Sequence, residues 1–394
     1  MHVLTAFLVF LSTMKINSKF FFVLCFILIT VHASYGQGCC SGGSGSPIAG
    51  GASQGVLQDR QVEINTNYQY INTNKFFTAD HKDTATFFDS FESQYLYTRV
   101  GYGITKDFTM SVESGYWLKK TQIGLDNSDT VSSSGIGDLI LFPRYDVINR
   151  TGENKRVELT IGLGIKIPLG SYNDSVGRIE PFSGTIYYIT KPLSVQTSTG
   201  SNDVIFYSFF SRGYPNQQVK LFANAIYIKK GWNAIGEKMG DYASVGLFAG
   251  KTFTNKLGIT LQVKGEWVDK MKLNNTVLLY NYPNYDPFAT GSRKIFVVPQ
   301  LSYSFKNFTV YALSEIPVYQ WVVNTQVGSQ YQFTAGLSYR FLTYKPGKVN
   351  ESQTSDGAAQ PSGAFYQCSM KCEGKKFDKP GKCPICGMEM ELVK

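Results

Sequence analysis

Apolar and polar residues alternate with a period of two along most of the chain between residues 61 and 342. This is the pattern of a β-strand, in which successive side chains point to opposite faces. In 330–341 the odd-numbered positions are all apolar or aromatic, and the even-numbered ones are all polar or small. The segments 61–70, 156–167 and 257–267 follow the same rule with few exceptions. The pattern therefore predicts an all-β protein.

Segmentation by this rule predicts about twelve antiparallel strands. Their predicted ranges are 61–77, 90–104, 107–119, 136–149, 155–169, 200–212, 217–230, 240–253, 256–270, 291–305, 307–318 and 329–342. The connections alternate between short turns, such as Lys306 with Asn307, and long polar loops, such as 171–199. An even strand number with short turns on one side and long loops on the other is typical of outer-membrane β-barrels.

Alternation alone does not tell which face points inward, so a soluble barrel or sandwich with an apolar core is the alternative. The predicted strands exceed the usual five or six residues, and this length favours a transmembrane barrel of 61–342. After Gly36 no segment is apolar for long enough to form a membrane-spanning helix, so a membrane form would have to be a barrel. The predicted inward residues, which would line a narrow lumen of mixed charge, include Arg156, Glu158, Lys166, Lys264, Glu266 and Arg340.

Residues 1–36 have the features of a secretory signal peptide. Lys15 and Lys19 precede an apolar run at 20–31, and small residues around Gly36 suit cleavage before Gln37. Translation could also begin at Met14, and an uncleaved anchor is the alternative to cleavage. Residues 37–60 are then expected to be a periplasmic segment.

Composition agrees with this class. Charged residues make up 17% of the chain, whereas Tyr and Phe number 25 and 28. The net charge of +9 is scattered along the sequence, so no nucleic-acid partner is expected. Outer-membrane lipid is the predicted surrounding.

Two glycine-rich segments, 135–139 and 162–170, resemble a broad family of outer-membrane transporter barrels. The resemblance would cover 55–342 and implies a channel. Phe341 at the end of the last strand also resembles the signal that the outer-membrane assembly machinery recognises.

The C-terminal residues carry a different chemistry. After a polar linker at 343–364, the segment 365–394 contains Cys368 and Cys372, then a ten-residue gap, then Cys383 and Cys386. Two such pairs can bring four thiolates together in a tetrahedral metal site. A segment this short cannot bury enough apolar surface to fold without a metal ion or disulfides. We therefore predict a small metal-binding knuckle module with four cysteine ligands.

This module resembles the heavy-metal-binding domain of copper and silver efflux proteins and metal-transporting ATPases. The matching residues are Tyr366, Cys368, Met370, Pro380, Gly381, Cys383, Pro384, Cys386, Gly387 and Met388. The sequence departs from the family pattern at Ser369, Lys371, Cys372 and Met390. Cys372 could replace the imidazole that is lost where Lys371 stands in place of the family's histidine. The resemblance implies that the module binds a metal ion.

We expect one heavy-metal ion: four thiolates suit Zn²⁺, and Cys combined with Met suits Cu⁺. Met370 and Met388 are further candidate ligands, although Met388 and Met390 could instead pack a small core. Two disulfides are the alternative for the four cysteines, because the periplasm is oxidising.

Cys39 and Cys40 follow the predicted cleavage site, and their role stays open. They could form a vicinal disulfide, an auxiliary soft-metal site or, less in keeping with Gly36, a lipid anchor.

No enzyme is predicted. His81 is the only histidine of the mature chain and stands in a predicted loop, and no nucleotide-binding or nucleophile motif is present. The sequence predicts an outer-membrane channel or transporter with its N- and C-termini in the periplasm and a metal-binding tail. Copper or zinc handling or efflux, with periplasmic metal-efflux components as partners, is the expected role. In the alternative, the barrel only anchors a metal-buffering or sensing module.

Overall fold

The structure is a computed structural model of the whole chain. The residues that it describes are 55–84, 88–124, 130–151, 155–214, 217–254, 256–274, 288–343, 365–368, 376–377 and 390–393. The predicted signal peptide, Cys39, Cys40 and almost all of the predicted linker lie outside the described residues. No described helix is long and apolar enough to cross a membrane.

Twelve long strands form the wall of a barrel. We number them β1 to β12 in chain order: Gln61–Thr73, Ser90–Thr105, Phe108–Ile123, Leu139–Thr151, Arg156–Ile167, Asp203–Tyr214, Val219–Lys229, Tyr242–Phe253, Leu257–Val268, Ser292–Phe305, Phe308–Val327 and Tyr331–Leu342. Each corresponds to one of the predicted strands.

Every strand pairs antiparallel with the strands before and after it in the chain. The first strand also pairs with the last, from Gln61 opposite Leu342 to Asn72 opposite Tyr331. The sheet is therefore a closed up-and-down barrel, which leaves no wall strand with an unpaired edge. The predicted twelve-stranded antiparallel barrel is confirmed.

The two faces of the wall differ in polarity. On β5, Ile161, Leu163 and Ile165 point outward with about half of each side chain exposed, whereas Glu158 and Lys166 point inward and are almost fully buried. The same arrangement holds along β9, where Ile259 and Leu261 face outward and Lys264 faces inward. An apolar outer surface around a polar interior is the pattern of a transmembrane barrel. It contradicts the soluble alternative with an apolar core.

Outward-facing aromatic residues form two girdles, one near each end of the barrel. Tyr102, Phe253, Tyr303, Phe305 and Phe308 lie at the end where the strands are joined by short turns. The other girdle includes Tyr116, Tyr227, Trp267, Tyr319 and Tyr331. Aromatic rings are favoured at the two interfaces of a bilayer, so the girdles mark a membrane-spanning band between them.

The two ends of the barrel differ in their connections. At the short-turn end, Thr254 and Lys306 adopt positive φ angles of 50° and 52° in tight turns. This end also holds the first residue of β1 and the last residue of β12. At the opposite, long-loop end, the connections at 168–202 and 269–291 are long. The chain therefore enters and leaves the barrel wall at the same end.

Some strand limits differ from the predicted ones. Strand β11 reaches Val327 rather than residue 318, because its C-terminal residues pair with a separate strand, Phe76–Ala79. Strand β1 ends at Thr73, short of the predicted residue 77. A further strand, Thr130–Ile136, pairs with the C-terminal half of β3, past the residues of β3 that pair with β4. These extensions lie at the long-loop end, where pairing partners come from loops that lack regular alternation.

The outward position of Ile161 at the middle of β5 generates a prediction. Ile161→Arg places a charge in the hydrocarbon band, and we expect the unfolding free energy in lipid vesicles to fall by about 2–4 kcal/mol. Leu169→Arg is the matched control, because Leu169 lies beyond the end of the strand and should cost about 0–1 kcal/mol. Urea titration of the vesicle-inserted barrel measures both; equal losses would contradict the proposed depth of Ile161.

Candidate functional sites in the lumen and the tail

Charged side chains inside the barrel form ion pairs rather than an open ring of one sign. At the short-turn end, Glu63 accepts hydrogen bonds from Arg99 Nη2 at 2.8 Å and from Arg340 Nε at 2.7 Å. These residues come from three neighbouring strands, and Glu63 stands directly opposite Arg340 in the β1–β12 register. Glu63 and Arg99 are each 3% exposed, so neither charge could remain ionised at low cost without its partner.

A second set of ion pairs lies nearer the long-loop end. Lys166 Nζ is 2.8 Å from Asp138 Oδ2 and 3.2 Å from Asp203 Oδ2. On another part of the inner wall, Lys264 Nζ is 2.5 Å from Glu315 Oε2. The prediction of a polar lumen of mixed charge therefore describes these walls correctly, with Lys166 and Lys264 as inward residues.

Asp241 precedes β8 outside the membrane band. It accepts hydrogen bonds from Lys229 Nζ at 2.6 Å and from the Lys230 backbone N–H at 2.9 Å. Partial burial raises the pKa of Asp241, but these hydrogen bonds and nearby lysines outweigh it, and the net pKa lies below the ordinary value. The carboxylate therefore stays ionised and links the end of β7 to the start of β8.

One part of the inner wall is apolar. Nine buried residues from β4, β6, β7 and β8 pack together: Ile140, Phe142, Ile205, Tyr207, Phe209, Phe222, Ile226, Ile228 and Tyr242. Sequence reasoning missed this patch, because these strands are apolar on both faces and alternation then gives no contrast. The inner wall therefore combines this apolar patch with charged residues such as Lys166 and Asp203 on the same or adjacent strands.

Residues 193–201 fold inward at the long-loop end, and we call them the in-folded loop. Most of them are buried, including Val195, which has no exposed surface. Trp117 Nε1 on β3 donates to the Thr197 carbonyl at 2.9 Å, and Lys120 Nζ donates to the Gln196 carbonyl at 2.6 Å. The lumen is therefore narrowed by part of a connection that the sequence predicted only as a long polar loop.

The C-terminal tail contains a small three-stranded antiparallel sheet. Phe365–Cys368 is the central strand and pairs with both Lys376–Phe377 and Met390–Val393. In this register Cys368 stands opposite Met390. The start and the end of the cysteine-rich segment therefore meet.

Of the six predicted metal ligands, only Cys368 belongs to the described residues, as the last residue of the central strand. Met370, Cys372, Cys383, Cys386 and Met388 lie outside them, so the ligand set stays a prediction. Among the described residues, no three His, Cys, Asp or Glu side chains gather into a metal site.

The donor chemistry and the sheet register fit a soft metal ion. Cys372 is four residues after Cys368, and Cys386 is four residues before Met390. Four residues span at most ~14 Å, so the Cys368–Met390 pairing limits how far Cys372 and Cys386 can lie from that pair. Thiolates and thioethers are ligands for Zn²⁺ or Cu⁺.

Comparisons with known proteins agree with both parts of the chain. Residues 365–393 match the family model described as heavy metal binding domain. An outer membrane channel from Pseudomonas putida F1 superposes with a TM-score of 0.55 at 13% identity, covering 75% of this chain and 100% of that one. Both resemblances drawn from the sequence are thus confirmed, the second as a likeness of fold alone. The chain is a closed twelve-stranded antiparallel β-barrel of the kind seen in outer membrane channels, followed by a segment that matches the heavy metal binding domain.

Two further solved structures are more distant. The β domain of the Bordetella autotransporter BrkA gives a TM-score of 0.39 at 9% identity, covering 72% of this chain and 100% of that one. The translocator domain of the autotransporter NalP from Neisseria meningitidis gives 0.37 at 12% identity, covering 72% and 90%. Because both TM-scores are under 0.5, neither structure supports a conclusion about this chain. No curated protein matches the chain.

The buried Glu63 pairs generate a second prediction. Glu63→Gln leaves Arg99 and Arg340 facing a neutral amide, and we expect a loss of about 3–5 kcal/mol in the free energy of unfolding. Glu92→Gln is the matched control, because Glu92 pairs with Lys119 at a more exposed site, where such a pair contributes about 0–1 kcal/mol. Denaturant titration of both variants in the same lipid measures these losses. If Glu63→Gln costs no more free energy of unfolding than Glu92→Gln, the stabilising role of the buried Glu63 ion pairs is refuted.

Proposed function

We propose that the protein is an outer-membrane channel whose periplasmic tail binds one heavy-metal ion, in copper or zinc handling or efflux. The observation that carries this proposal is the combination of a polar, ion-paired barrel interior with a C-terminal heavy metal binding domain. No catalytic group is part of it.

Support for a channel comes from the inner surface of the wall. A barrel that served only as an anchor would need no particular lumen, yet buried charges cost folding free energy unless they are paired. Here Glu63, Lys166 and Lys264 each have an oppositely charged partner within 3 Å. Their retention is consistent with a path for polar or charged solutes.

The position of the chain ends supports the orientation. In outer-membrane barrels the short turns face the periplasm and the long loops face outward. Gln61 and Leu342 pair at the short-turn end, so both termini would lie in the periplasm. A linker of about 20 residues reaches roughly 25 Å, which keeps the tail near the periplasmic mouth.

Metal binding by the tail generates a third prediction. We expect the purified full-length protein to retain one ion per chain in detergent under reducing conditions, because four thiolates can be supplied at one point. The double variant Cys383→Ser and Cys386→Ser should retain none. Elemental analysis after dialysis, with Zn²⁺ and Cu⁺ offered separately, measures the retained ion.

The double variant Cys39→Ser and Cys40→Ser is the matched control and should keep its ion. If the control loses the ion and the tail variant keeps it, the site lies at the other end of the chain. If the reduced natural protein binds neither ion, the tail does not bind metal. The variants Met370→Leu and Met388→Leu then distinguish thioether ligands of Cu⁺ from residues that only pack. Replacing a ligand lowers the affinity for Cu⁺, whereas replacing a packing residue does not.

The second candidate function makes the barrel an anchor for a metal-buffering tail. The in-folded loop favours it, because this loop occupies part of the lumen.

Conductance separates the two functions and gives a fourth prediction. In planar bilayers we expect discrete openings, smaller than those of a sixteen-stranded porin, because a barrel of about twelve strands has a narrower interior. The heat-denatured protein is the control for leakage. A folded barrel that shows no opening at any voltage would support the anchor and exclude the channel.

A further inference from the structure

Exposed basic side chains are concentrated at the short-turn end of the barrel. Among the described residues, two acidic side chains are accessible at this end, Asp59 and Asp107. Positive charge that is spread along the sequence is therefore collected at one end of the structure. We call the exposed lysines and arginines of this end the basic rim: Arg60, Lys106, Arg150, Lys155, Arg212, Lys251, Lys256 and Lys306.

Most of the basic rim has no acidic partner. Arg60 and Lys106 each have a carboxylate oxygen at 3.9 Å, from Asp59 and Asp107. The other six form no ion pair within the part of the chain that the structure describes. One more acidic residue of the short turns, Glu153, lies outside that part. The basic rim consequently carries a surplus of positive charge.

Exposed lysines of the long-loop end are paired instead. Lys119 Nζ is 2.8 Å from Glu92 Oε2, and Lys229 Nζ is 2.6 Å from Asp241 Oδ2. Solvated lysines are ordinary on any protein surface, so their presence alone indicates no ligand. The lack of acidic partners at one end and their presence at the other distinguishes the basic rim from an ordinary surface.

Two lysines of the basic rim lie against rings of the aromatic girdle at this end. Lys251 Nζ on β8 is 5.4 Å from the centre of the Phe253 ring, and Lys306 Nζ is 5.2 Å from the centre of the Phe305 ring. Cations are attracted to aromatic faces at this distance. Because girdle rings mark the bilayer interface, these two charges lie at the depth of the lipid headgroups.

Arg212 extends the lipid-facing part of the rim. It is exposed between buried inward residues of β6, and its Cζ is 5.3 Å from the centre of the Tyr214 ring. Tyr214 stands opposite Val219 of β7, and Val219 stands opposite Lys251. Two strand spacings are about 10 Å, so Arg212 and Lys251 belong to one continuous patch of the outer surface.

The chain itself offers no acidic segment to cover this patch. Residues 343–394 contain eight lysines and six acidic side chains, and residues 37–54 contain no charged side chain. An acidic protein would match the charge, but it would not need bases that face lipid beside girdle rings. Charge and depth together match the phosphate of a lipid headgroup, to which arginine and lysine donate strong hydrogen bonds.

We propose that the basic rim binds the headgroups of anionic phospholipids in the leaflet at the short-turn end. Clusters of lysine and arginine at a membrane surface attract anionic lipid in this way. The binding goes beyond the proposed function, because it needs neither an open lumen nor a bound metal ion. In the orientation proposed above, this leaflet is the periplasmic one.

Lipid retention tests the proposal. The full-length protein in non-ionic detergent is mixed with phosphatidylglycerol, or with phosphatidylcholine of the same acyl chains, and native mass spectrometry counts the lipids retained per barrel. We expect phosphatidylglycerol to bind on the order of tenfold or more tightly than phosphatidylcholine. Raising the salt concentration should weaken this preference, because exposed charges are screened.

Matched double variants locate the bound lipid. Arg212→Gln with Lys251→Gln should weaken phosphatidylglycerol binding on the order of tenfold, because two lipid-facing charges are lost. Lys119→Gln with Lys229→Gln removes two charges at the long-loop end and should leave the affinity unchanged. Heat-modifiable migration on gels confirms that each barrel is folded. If the first variant fails to fold, Lys106→Gln with Lys256→Gln replaces it, since these residues lie in turns outside the wall strands.

Three results would overturn the proposal. The first is equal retention of the two lipids by the natural protein, and the second is an equal loss of affinity in the rim and control variants. The third is retention of soluble polyglutamate, lost in the rim variant, without any preference for phosphatidylglycerol, which would assign the rim to an acidic protein. Neither conductance nor metal enters these measurements, so failure of the proposed function would leave the lipid proposal standing, and the reverse also holds.

Discussion

The pairing of the first strand with the last is the interaction on which the rest of the structure depends. The hydrocarbon core offers no water to bond exposed backbone groups, so a sheet can cross it only when its edges are joined. Gln61 opposite Leu342 begins this closure. The same pairing brings both chain ends to one mouth: Thr343 N–H donates to the Arg60 carbonyl at 2.9 Å. The segment before the barrel and the tail after it consequently adjoin the same mouth of the barrel.

Closure also determines what the interior must contain. With side chains alternating between lipid and lumen, the apolar outer surface forces polar residues inward. An inward charge without a partner would destabilise the fold, and Glu63, Lys166 and Lys264 each have an oppositely charged partner from another part of the barrel. The lumen's mixed charge therefore follows from the requirements of folding as much as from those of transport.

Alternation was sufficient to predict the twelve strands and the inward position of Lys166, because most wall strands present apolar residues to the bilayer at every second position. It could not predict the inward positions of residues 55–58 and of the in-folded loop, which depend on side-chain hydrogen bonds such as Leu57 N–H to Thr109. Nor could it predict the apolar patch around Phe209, where both faces of β6 are apolar. In the tail, cysteine spacing predicted the chemistry, whereas the opposition of Cys368 and Met390 required the sheet register.

The wall and the segments that contact its inner face differ in how they are held, for a physical reason. Changing a wall residue alters a closed hydrogen-bonded ring, in which every wall strand has two neighbours and inward charges such as Glu63 and Lys166 have partners. Residues 55–58 and the in-folded loop contact that ring mainly through side chains such as Arg144 and Trp117, and they take no part in its strand pairing. A barrel this narrow needs little added chain to fill its lumen. Segments outside the wall can therefore narrow the lumen without any change in the wall itself, as the in-folded loop does at the long-loop end.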